Sequence, residues 1–306
     1  MHWRGVMPAM TTAFDPQLTV DLAFVARHAR WLHANGCTGI VCLGSLGEAA
    51  TLTFEEKISI IRTAVDAVSP AIPVVAAVSA LSTAEAVALA QAAARAGAQG
   101  LMILPPYVYK GDWRETKAHI GAILDATSLE AMLYNNPIAY GTDFVPEEIA
   151  ELAADYSNLA AVKESSANVR RVTAIRALIG DRLAIFVGVD DAIVEGIEAG
   201  AVGWIAGLVN ALPSESVELF NLATAGQKQP AFDLYRWFLP LLRMDTVPKF
   251  VQLIKQVQEE MGIGSARVRP PRLQVEGEEL ATTRAALKHA LDHRPPSAAI
   301  STAFEK

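Results

Sequence analysis

Eight short apolar segments recur along the first two thirds of the chain, and their pattern predicts buried parallel strands. Within each segment the apolar residues follow one another almost without interruption instead of alternating with polar ones. Continuous apolarity is typical of strands that are covered on both faces of a parallel sheet. The segments are 5–10, 39–43, 73–78, 100–104, 131–134, 159–163, 184–187 and 202–205.

The intervals between these segments carry helical signals with recognisable ends. Asp21 precedes four apolar residues at helical spacing and Gly36 follows them, as expected for an N-cap and a C-terminal glycine. Thr53 and Glu56 have the spacing of a capping box. Eight strand-helix units in succession predict a (β/α)8 TIM barrel. An open doubly wound sheet is the alternative, and it is disfavoured because no GxGxxG motif follows the first strand.

Beyond residue 212 the pattern changes to helices alone. We therefore assign 1–212 to the barrel core, 213–292 to the last barrel helix and a C-terminal helical segment, and 293–306 to a disordered tail. We expect the helical segment to pack on the outside of the barrel or on a neighbouring subunit.

Composition narrows the class of protein. The chain has 306 residues, 52% of them hydrophobic, and a net charge of −7, which gives no attraction to nucleic acid or anionic membranes. No signal peptide and no run of about 18 apolar residues occurs, so we expect a soluble, cytoplasmic protein. Cys37 and Cys42 are predicted to be reduced core thiols, and the histidines lack the spacing of a metal site.

Lys163 ends the sixth apolar segment, and the polar residues Glu164 and Ser165 follow at once. Burial at a strand end disfavours the ammonium and lowers the pKa of the amine. Only a neutral amine attacks a carbonyl carbon, so this position suits a Schiff-base nucleophile. The alternative is a surface lysine whose amine reaches the solvent. None of the other eight lysines ends such a segment.

Two other segment ends suit the same chemistry, because the C-terminal ends of barrel strands meet at one face. The glycines of the 44–48 loop leave backbone N–H groups accessible, so the loop and the Ser45 hydroxyl can bind a carboxylate. Tyr134 ends the fifth segment, and a phenol beside an amine can move the protons that carbinolamine formation requires. The three positions together predict a small 2-oxo acid as substrate.

In this order, the motifs resemble the dihydrodipicolinate synthase and N-acetylneuraminate lyase family of class I, Schiff-base-forming enzymes. The resemblance extends from about residue 3 to residue 261. It implies a (β/α)8 barrel with a C-terminal helical extension, a homodimer or homotetramer, and no metal or organic cofactor. The matching motifs are Gly44-Ser45-Leu46-Gly47-Glu48, Tyr134-Asn135-Asn136-Pro137, Val162-Lys163-Glu164-Ser165 and Gly188-Val189-Asp190-Asp191.

The resemblance also implies a role for individual residues. Lys163 would be the imine-forming nucleophile, Tyr134 the proton shuttle, and the hydroxyl of Ser45 a carboxylate donor. The remaining expected substrate-binding positions are Leu46 through its amide, Gly188 and Ile205, and further possible site residues are Tyr107, Ser165 and Asn136.

Three departures from the family pattern argue against dihydrodipicolinate synthase activity. Leu46 stands where those enzymes have a second threonine, and Val108 stands where they have a second tyrosine. Ala139 replaces an arginine that binds the second substrate's carboxylate, a pair worth roughly 1.5–3 kcal/mol. The chain looks more like the 1-pyrroline-4-hydroxy-2-carboxylate deaminases, with 2-keto-3-deoxy sugar acid dehydratases or aldolases as the alternative.

Some polar residues have simpler interpretations. Asp190 and Asp191 could form an acid/base pair, but we favour an N-cap and a first-turn residue of the next helix. Ser165 could cap a helix, and Tyr109, like Tyr107, could face the pocket or a subunit interface.

Two functions of another class remain open on the sequence. The first is a non-catalytic barrel that binds an oxo acid, although such a protein would not need the amine and the phenol. The second is a phosphate-binding barrel, which is disfavoured because only Ala206-Gly207-Leu208 follows the eighth segment.

Overall fold

A computed structural model describes residues 1–106, 108–296 and 298–304 of the chain. At its centre lies a sheet of eight strands, paired in parallel in the order β1-β8-β7-β6-β5-β4-β3-β2. Each strand lies within two residues of a predicted segment. The strands are β1 (Gly5–Pro8), β2 (Ile40–Cys42), β3 (Val74–Val78), β4 (Gly100–Ile103), β5 (Glu130–Asn135), β6 (Leu159–Glu164), β7 (Ala184–Val187) and β8 (Gly203–Ala206).

The first two strands close the sheet. The backbone N–H of Met10 donates to the carbonyl of Val41 at 2.9 Å, and that of Thr38 donates to the carbonyl of Val6 at 2.9 Å. A parallel bridge also joins Ala9 to Val41. The predicted (β/α)8 barrel is therefore confirmed, and the open doubly wound sheet is wrong.

Helices connect the strands on the outside of the barrel, and short polar residues begin them where the pattern predicted. The Asp21 carboxylate accepts from the Phe24 amide at 2.8 Å, and Thr53 and Glu56 form a reciprocal capping box. These side chains satisfy N–H groups that the helix itself leaves unpaired. The helices are α1 (Leu22–Ala34), α2 (Phe54–Val68), α3 (Thr83–Arg95), α4 (Trp113–Asp125), α5 (Pro137–Tyr140), α6 (Pro146–Asp155), α7 (Arg170–Ile179), α8 (Ile193–Glu198), α9 (Pro213–Thr224), α10 (Lys228–Leu242), α11 (Phe250–Glu260) and α12 (Gly277–Asp292).

The helices that follow β8 form the predicted C-terminal segment. α9 packs against α8 and β1 as the last barrel helix, and α12 packs against α10 and α11. A 3-10 turn, Arg243–Thr246, joins α10 to α11 and contacts the 3-10 turn Asp190–Ala192 that follows β7. The C-terminal segment therefore reaches the barrel end at which the strands terminate. Among the helices in the described ranges, none is long and apolar enough to span a membrane.

Residues 298–304 differ from the disordered tail that we expected. They form no helix or strand, but they lie along α1. The Phe304 ring packs against Phe24 and Trp31, with ring centroids 5.6 and 5.5 Å apart, and the Trp31 indole donates to the Thr302 carbonyl at 2.7 Å. One isolated aromatic residue has no periodicity, so the sequence pattern did not reveal this contact. Ser297, Glu305 and Lys306 lie outside the described residues.

The two cysteines are buried and free, as predicted for core thiols. Burial raises the pKa of both Cys37 and Cys42, which disfavours the reactive thiolate.

Candidate active site

Lys163 lies inside the barrel near the C-terminal end of β6. Its side chain is 6% exposed, and its Nζ lies 4.0 Å from the centroid of the Tyr134 ring. Burial lowers the pKa of this amine to about 8, while the nearby Asp245 and Asp190 carboxyls act in the opposite direction. An amine with this pKa is neutral in about one molecule in ten at pH 7, a far larger fraction than for an ordinary lysine. The neutral form is the one that attacks a carbonyl carbon.

Tyr134 lies beside Lys163 because the two residues are partners in the register of β5 and β6. Its ring is 5% exposed, and its hydroxyl accepts a hydrogen bond from Asn136 Nδ2 at 3.0 Å. Burial raises the pKa of this phenol to about 12, so the hydroxyl keeps its proton. Asn136 also caps α5, because its Oδ1 accepts from the Ala139 amide at 3.0 Å. Asn136 thus holds the tyrosine and the start of the following turn together.

The loop after β2 has an unusual backbone held by buried groups. Glu48 has a positive φ of 55°, and its carboxylate, 0% exposed, accepts from Lys255 Nζ at 2.8 Å and from the Arg269 amide at 3.1 Å. An added Cβ at Gly47 would come within 2.9 Å of the Met10 carbonyl oxygen, so this position requires glycine. The Glu48 carboxylate therefore fixes the position of the loop through its bonds to Lys255 and to the Arg269 amide.

Ser45 is the residue of this loop that reaches the strand ends. Its hydroxyl forms a hydrogen bond with the hydroxyl of Tyr140, the last residue of α5. The Tyr140 ring meets the Tyr134 ring edge-on, with centroids 5.8 Å apart. Leu46, by contrast, is 3% exposed and belongs to the apolar core. Contacts therefore run from Ser45 through Tyr140 and Tyr134 to Lys163.

Gly188 and Ser165 also lie beside the Lys163 side chain. An added Cβ at Gly188 would come within 2.5 Å of Lys163 Cε and 2.0 Å of Ser165 Oγ, so glycine leaves the space that the lysine side chain occupies. Ser165 is 2% exposed, and its Oγ makes no hydrogen bond of good geometry among the described residues, but it lies close enough to the Tyr134 hydroxyl to lower the pKa of that phenol. A buried hydroxyl in this position can bind a polar group of a ligand.

Ile205 and Tyr107 complete the set of expected positions. Ile205 lies on β8, is 1% exposed and pairs in register with Met7. Ile205 and Gly203 lie on the same face of β8, because side chains alternate between the two faces of a strand. An added Cβ at Gly203 would meet the Phe186 ring inside the barrel, so the side chain of Ile205 also points inward. Tyr107 lies outside the described residues.

The preferred interpretation of Asp190 as a helix N-cap is wrong. α8 begins only at Ile193, with Ala192 at its N-cap. The Asp190 carboxylate is 0% exposed and accepts from the amides of Gly207 and Leu208, the latter at 2.8 Å. These are the amides that a phosphate-binding turn after β8 would use, so the structure does not support a phosphate site there.

Sequence reasoning missed Asp245, which approaches the amine from the C-terminal segment. An added Cβ at Gly207 would come within 2.2 Å of Asp245 Oδ1, so the carboxyl lies against the end of β8. Burial raises the pKa of Asp245 well above its ordinary value, and the neighbouring Asp190 carboxyl raises it further. Burial likewise raises the pKa of Asp190, to about 6. No local signal marked Asp245, which lies in a turn between two helices.

Comparisons with known proteins agree with this architecture. Residues 2–290 match the model of the dihydrodipicolinate synthetase family. A 4-hydroxy-tetrahydrodipicolinate synthase from Chelativorans sp. (strain BNC1) is 32% identical over 289 residues, which cover 94% of this chain and 98% of that protein.

Solved structures give the same result. A putative dihydrodipicolinate synthetase from Pseudomonas aeruginosa superposes with a TM-score of 0.89 at 28% identity, covering 94% of this chain and 99% of the other. YagE from E. coli K12, a member of the dihydrodipicolinic acid synthase family solved in complex with pyruvate, has a TM-score of 0.89 at 26% identity, with 94% and 99% coverage. The chain therefore belongs to the dihydrodipicolinate synthetase family, whose members are class I, Schiff-base-forming lyases.

Proposed function

We propose that Lys163 is the nucleophile of this lyase and that the substrate is a small 2-oxo or cyclic 2-imino carboxylic acid. The observation that carries the proposal is the buried Lys163 amine, of lowered pKa, held 4.0 Å from the Tyr134 ring centroid at the C-terminal end of the barrel. The pyruvate bound to YagE supports this substrate class, because pyruvate is itself a small 2-oxo acid.

The chemistry follows from the positions of the groups. The 44–47 loop and Ser45 hold the substrate carboxylate, which directs C2 towards Lys163. The nitrogen of Lys163 bonds to C2, and Tyr134 transfers a proton from that nitrogen to the former carbonyl oxygen to give the carbinolamine. A second proton passes from the nitrogen to the hydroxyl through Tyr134, and water leaves to give the imine. The imine withdraws electrons from C2 and thereby acidifies C3.

Among the possible substrates, we favour 1-pyrroline-4-hydroxy-2-carboxylate. Lys163 would displace the ring nitrogen by transimination, and a C3 proton and the C4 hydroxyl would leave as water to give a C3–C4 double bond. A shift of that double bond towards C5 would form an imine at C5, which water would hydrolyse to an aldehyde and ammonia. Ala139 is exposed at the position where a second substrate carboxylate would need a cationic partner, which favours a substrate with one anionic group. A 2-keto-3-deoxy sugar acid fits the same reasoning.

The second candidate is 4-hydroxy-tetrahydrodipicolinate synthase activity, with pyruvate and aspartate semialdehyde as substrates. It is favoured by the name of the relative from Chelativorans, which matches 94% of this chain. A panel of four substrates separates the candidates: the hydroxy-pyrroline carboxylate, a 2-keto-3-deoxy sugar acid, N-acetylneuraminate, and pyruvate with aspartate semialdehyde. We expect turnover of the first. Efficient turnover of the last pair would overturn the inference drawn from Ala139.

Reductive trapping tests the mechanism independently of the final substrate. Pyruvate and borohydride should convert an imine into a stable secondary amine, and peptide mass mapping should locate it on Lys163. Lys255 is an internal control, because it is also buried but is bonded to Glu48 and to the Thr12 carbonyl. A label on any lysine other than Lys163, or no label at all, would contradict the proposed mechanism and favour a barrel that only binds oxo acids.

The rate of imine formation should depend on pH through the Lys163 amine. Below a pH of about 8 the amine is mostly protonated, so the rate should rise with pH and level off above that value. The Asp245 carboxyl raises the pKa of Lys163, so Asp245→Asn should move this inflection to lower pH. Stopped-flow measurements of imine formation with pyruvate would show this shift of the inflection. Asp233→Asn on the surface is the control, and an unchanged inflection in Asp245→Asn would exclude this electrostatic role.

A further inference from the structure

Tyr140 stands at the candidate site without a role in the chemistry described above. It is the last residue of α5, a single helical turn after β5, and Gly141 ends that turn with a φ of 70°. The hydroxyl of Tyr140 forms a hydrogen bond with the hydroxyl of Ser45, although the two residues are 95 positions apart in the chain. The loops after β2 and β5 therefore meet through two hydroxyl groups.

The surrounding contacts hold the Tyr140 turn in place. Asn136 bonds to the Ala139 amide and to the Tyr134 hydroxyl, which ties the turn to the end of β5. Downstream, the Phe144 amide donates to Asn135 Oδ1 at 3.0 Å. The ring of Tyr140 also meets that of Tyr134 edge-on at an interplanar angle of 81°. Contacts at both ends of the turn restrict the positions that the Tyr140 hydroxyl can adopt.

A carboxylate bound beside these hydroxyls can accept a hydrogen bond from each of them. Each hydroxyl has one proton to donate. A carboxylate offers two oxygen atoms and can accept from both hydroxyls at once. Because Leu46 has no hydrogen-bond donor in its side chain, the hydroxyl of Ser45 is the single side-chain donor at these two loop positions.

We propose that Tyr140 is a substrate-binding residue whose hydroxyl, together with that of Ser45, binds the carboxylate of the 2-oxo or 2-imino acid. The proposal deepens the proposed function and rests on it, because the carboxylate must lie where C2 can reach Lys163. The edge contact between the rings of Tyr140 and Tyr134, with centroids 5.8 Å apart, keeps the proposed carboxylate-binding residue next to the proton-transferring one.

Substitution of Tyr140 by phenylalanine tests the proposal, since it removes the hydroxyl and keeps the ring. A hydrogen bond to a charged group is worth enough that its loss should raise KM for the 2-oxo acid about 10- to 100-fold. The kcat should change much less, because Lys163 and Tyr134 are untouched. Tyr156→Phe is the matched control: Tyr156 follows α6, at the end of the barrel where β6 begins, and it should leave KM unchanged.

A second measurement identifies the group that Tyr140 contacts. The concentration dependence of borohydride trapping should be compared for pyruvate and for its neutral amide, pyruvamide, in the wild-type enzyme and in Tyr140→Phe. We expect the variant to weaken trapping of pyruvate at least tenfold more than trapping of pyruvamide. An equal loss for both compounds, or no loss for pyruvate, would overturn the assignment of Tyr140 to the carboxylate.

The two proposals fail in different ways. If pyruvate labels Lys163 in the wild-type enzyme but Tyr140→Phe behaves like Tyr156→Phe, only the role of Tyr140 is wrong. If no 2-oxo acid labels Lys163 in the wild-type enzyme, the proposed function itself is wrong. Thermal melting shows whether each variant is folded, and trapping is compared between variants that melt like the wild type.

Discussion

Replacement of Lys163 by methionine should abolish covalent trapping and reduce kcat/KM roughly 10⁴- to 10⁶-fold, as removal of a covalent nucleophile does. Methionine has nearly the shape of the lysine stem, so it fills the space beside Gly188 but cannot form an imine. Because Lys163 is 6% exposed and burial of its amine carries a desolvation cost, we expect the variant to be at least as stable as the wild type.

The control for this prediction is Lys249→Met, which removes a lysine whose side chain is 55% exposed and paired with Glu279. It should leave trapping and turnover unchanged. Activity of Lys163→Met within tenfold of the wild-type value would show that the reaction does not pass through an imine on this residue. Single-turnover kinetics and mass spectrometry of the trapped protein give the two readouts.

Removal of Lys255 should cause the largest loss of stability, although it lies far from Lys163 in the sequence. Lys255 and Glu48 form an ion pair in which both side chains are almost fully buried, with 1% and 0% exposure. Lys255→Met would leave the Glu48 carboxylate buried without its main partner, which costs about 3–5 kcal/mol. The substitution would also remove the hydrogen bond that the Lys255 amine donates to the Thr12 carbonyl. The free energy of unfolding can be measured by urea denaturation.

The exposed pair between Lys288 and Asp292 provides the matched control. Its side chains are 75% and 51% exposed, so Lys288→Met should leave the free energy of unfolding nearly unchanged. Addition of Glu48→Gln to Lys255→Met should recover part of the loss, because the neutral amide removes the unpaired charge. Equal losses in Lys255→Met and Lys288→Met would show that the buried pair does not hold the loop after β2.

Much of the barrel and the central pair of the candidate site could be predicted from the sequence. Buried parallel strands leave a local trace, because each is a short apolar run, and every predicted segment coincides with a strand to within two residues. Lys163 and Tyr134 could be located because each lies at the end of such a run. Their partnership across β5 and β6 then followed from the geometry of adjacent parallel strands.

Other parts of the site had no local signal, because they depend on residues far apart in the chain. The bond between Ser45 and Tyr140 joins loops 95 residues apart, and Lys255 reaches Glu48 across 207 residues. Asp190 looked like a helix cap from its neighbours, but its carboxylate instead binds amides that follow β8.

The order of the strands along the chain and the place of Lys163 at a strand end thus follow from the sequence by itself, because apolar runs and strand ends are local properties. The eight repeats favoured a closed barrel, and the contacts between β1 and β2 decided it against an open sheet. The tertiary structure alone decided which polar groups surround that amine, placed Asp245 from the C-terminal segment against the end of β8, and laid Phe304 on α1. Such contacts depend on how distant elements pack, and burial acts on a side chain only after those elements have come together.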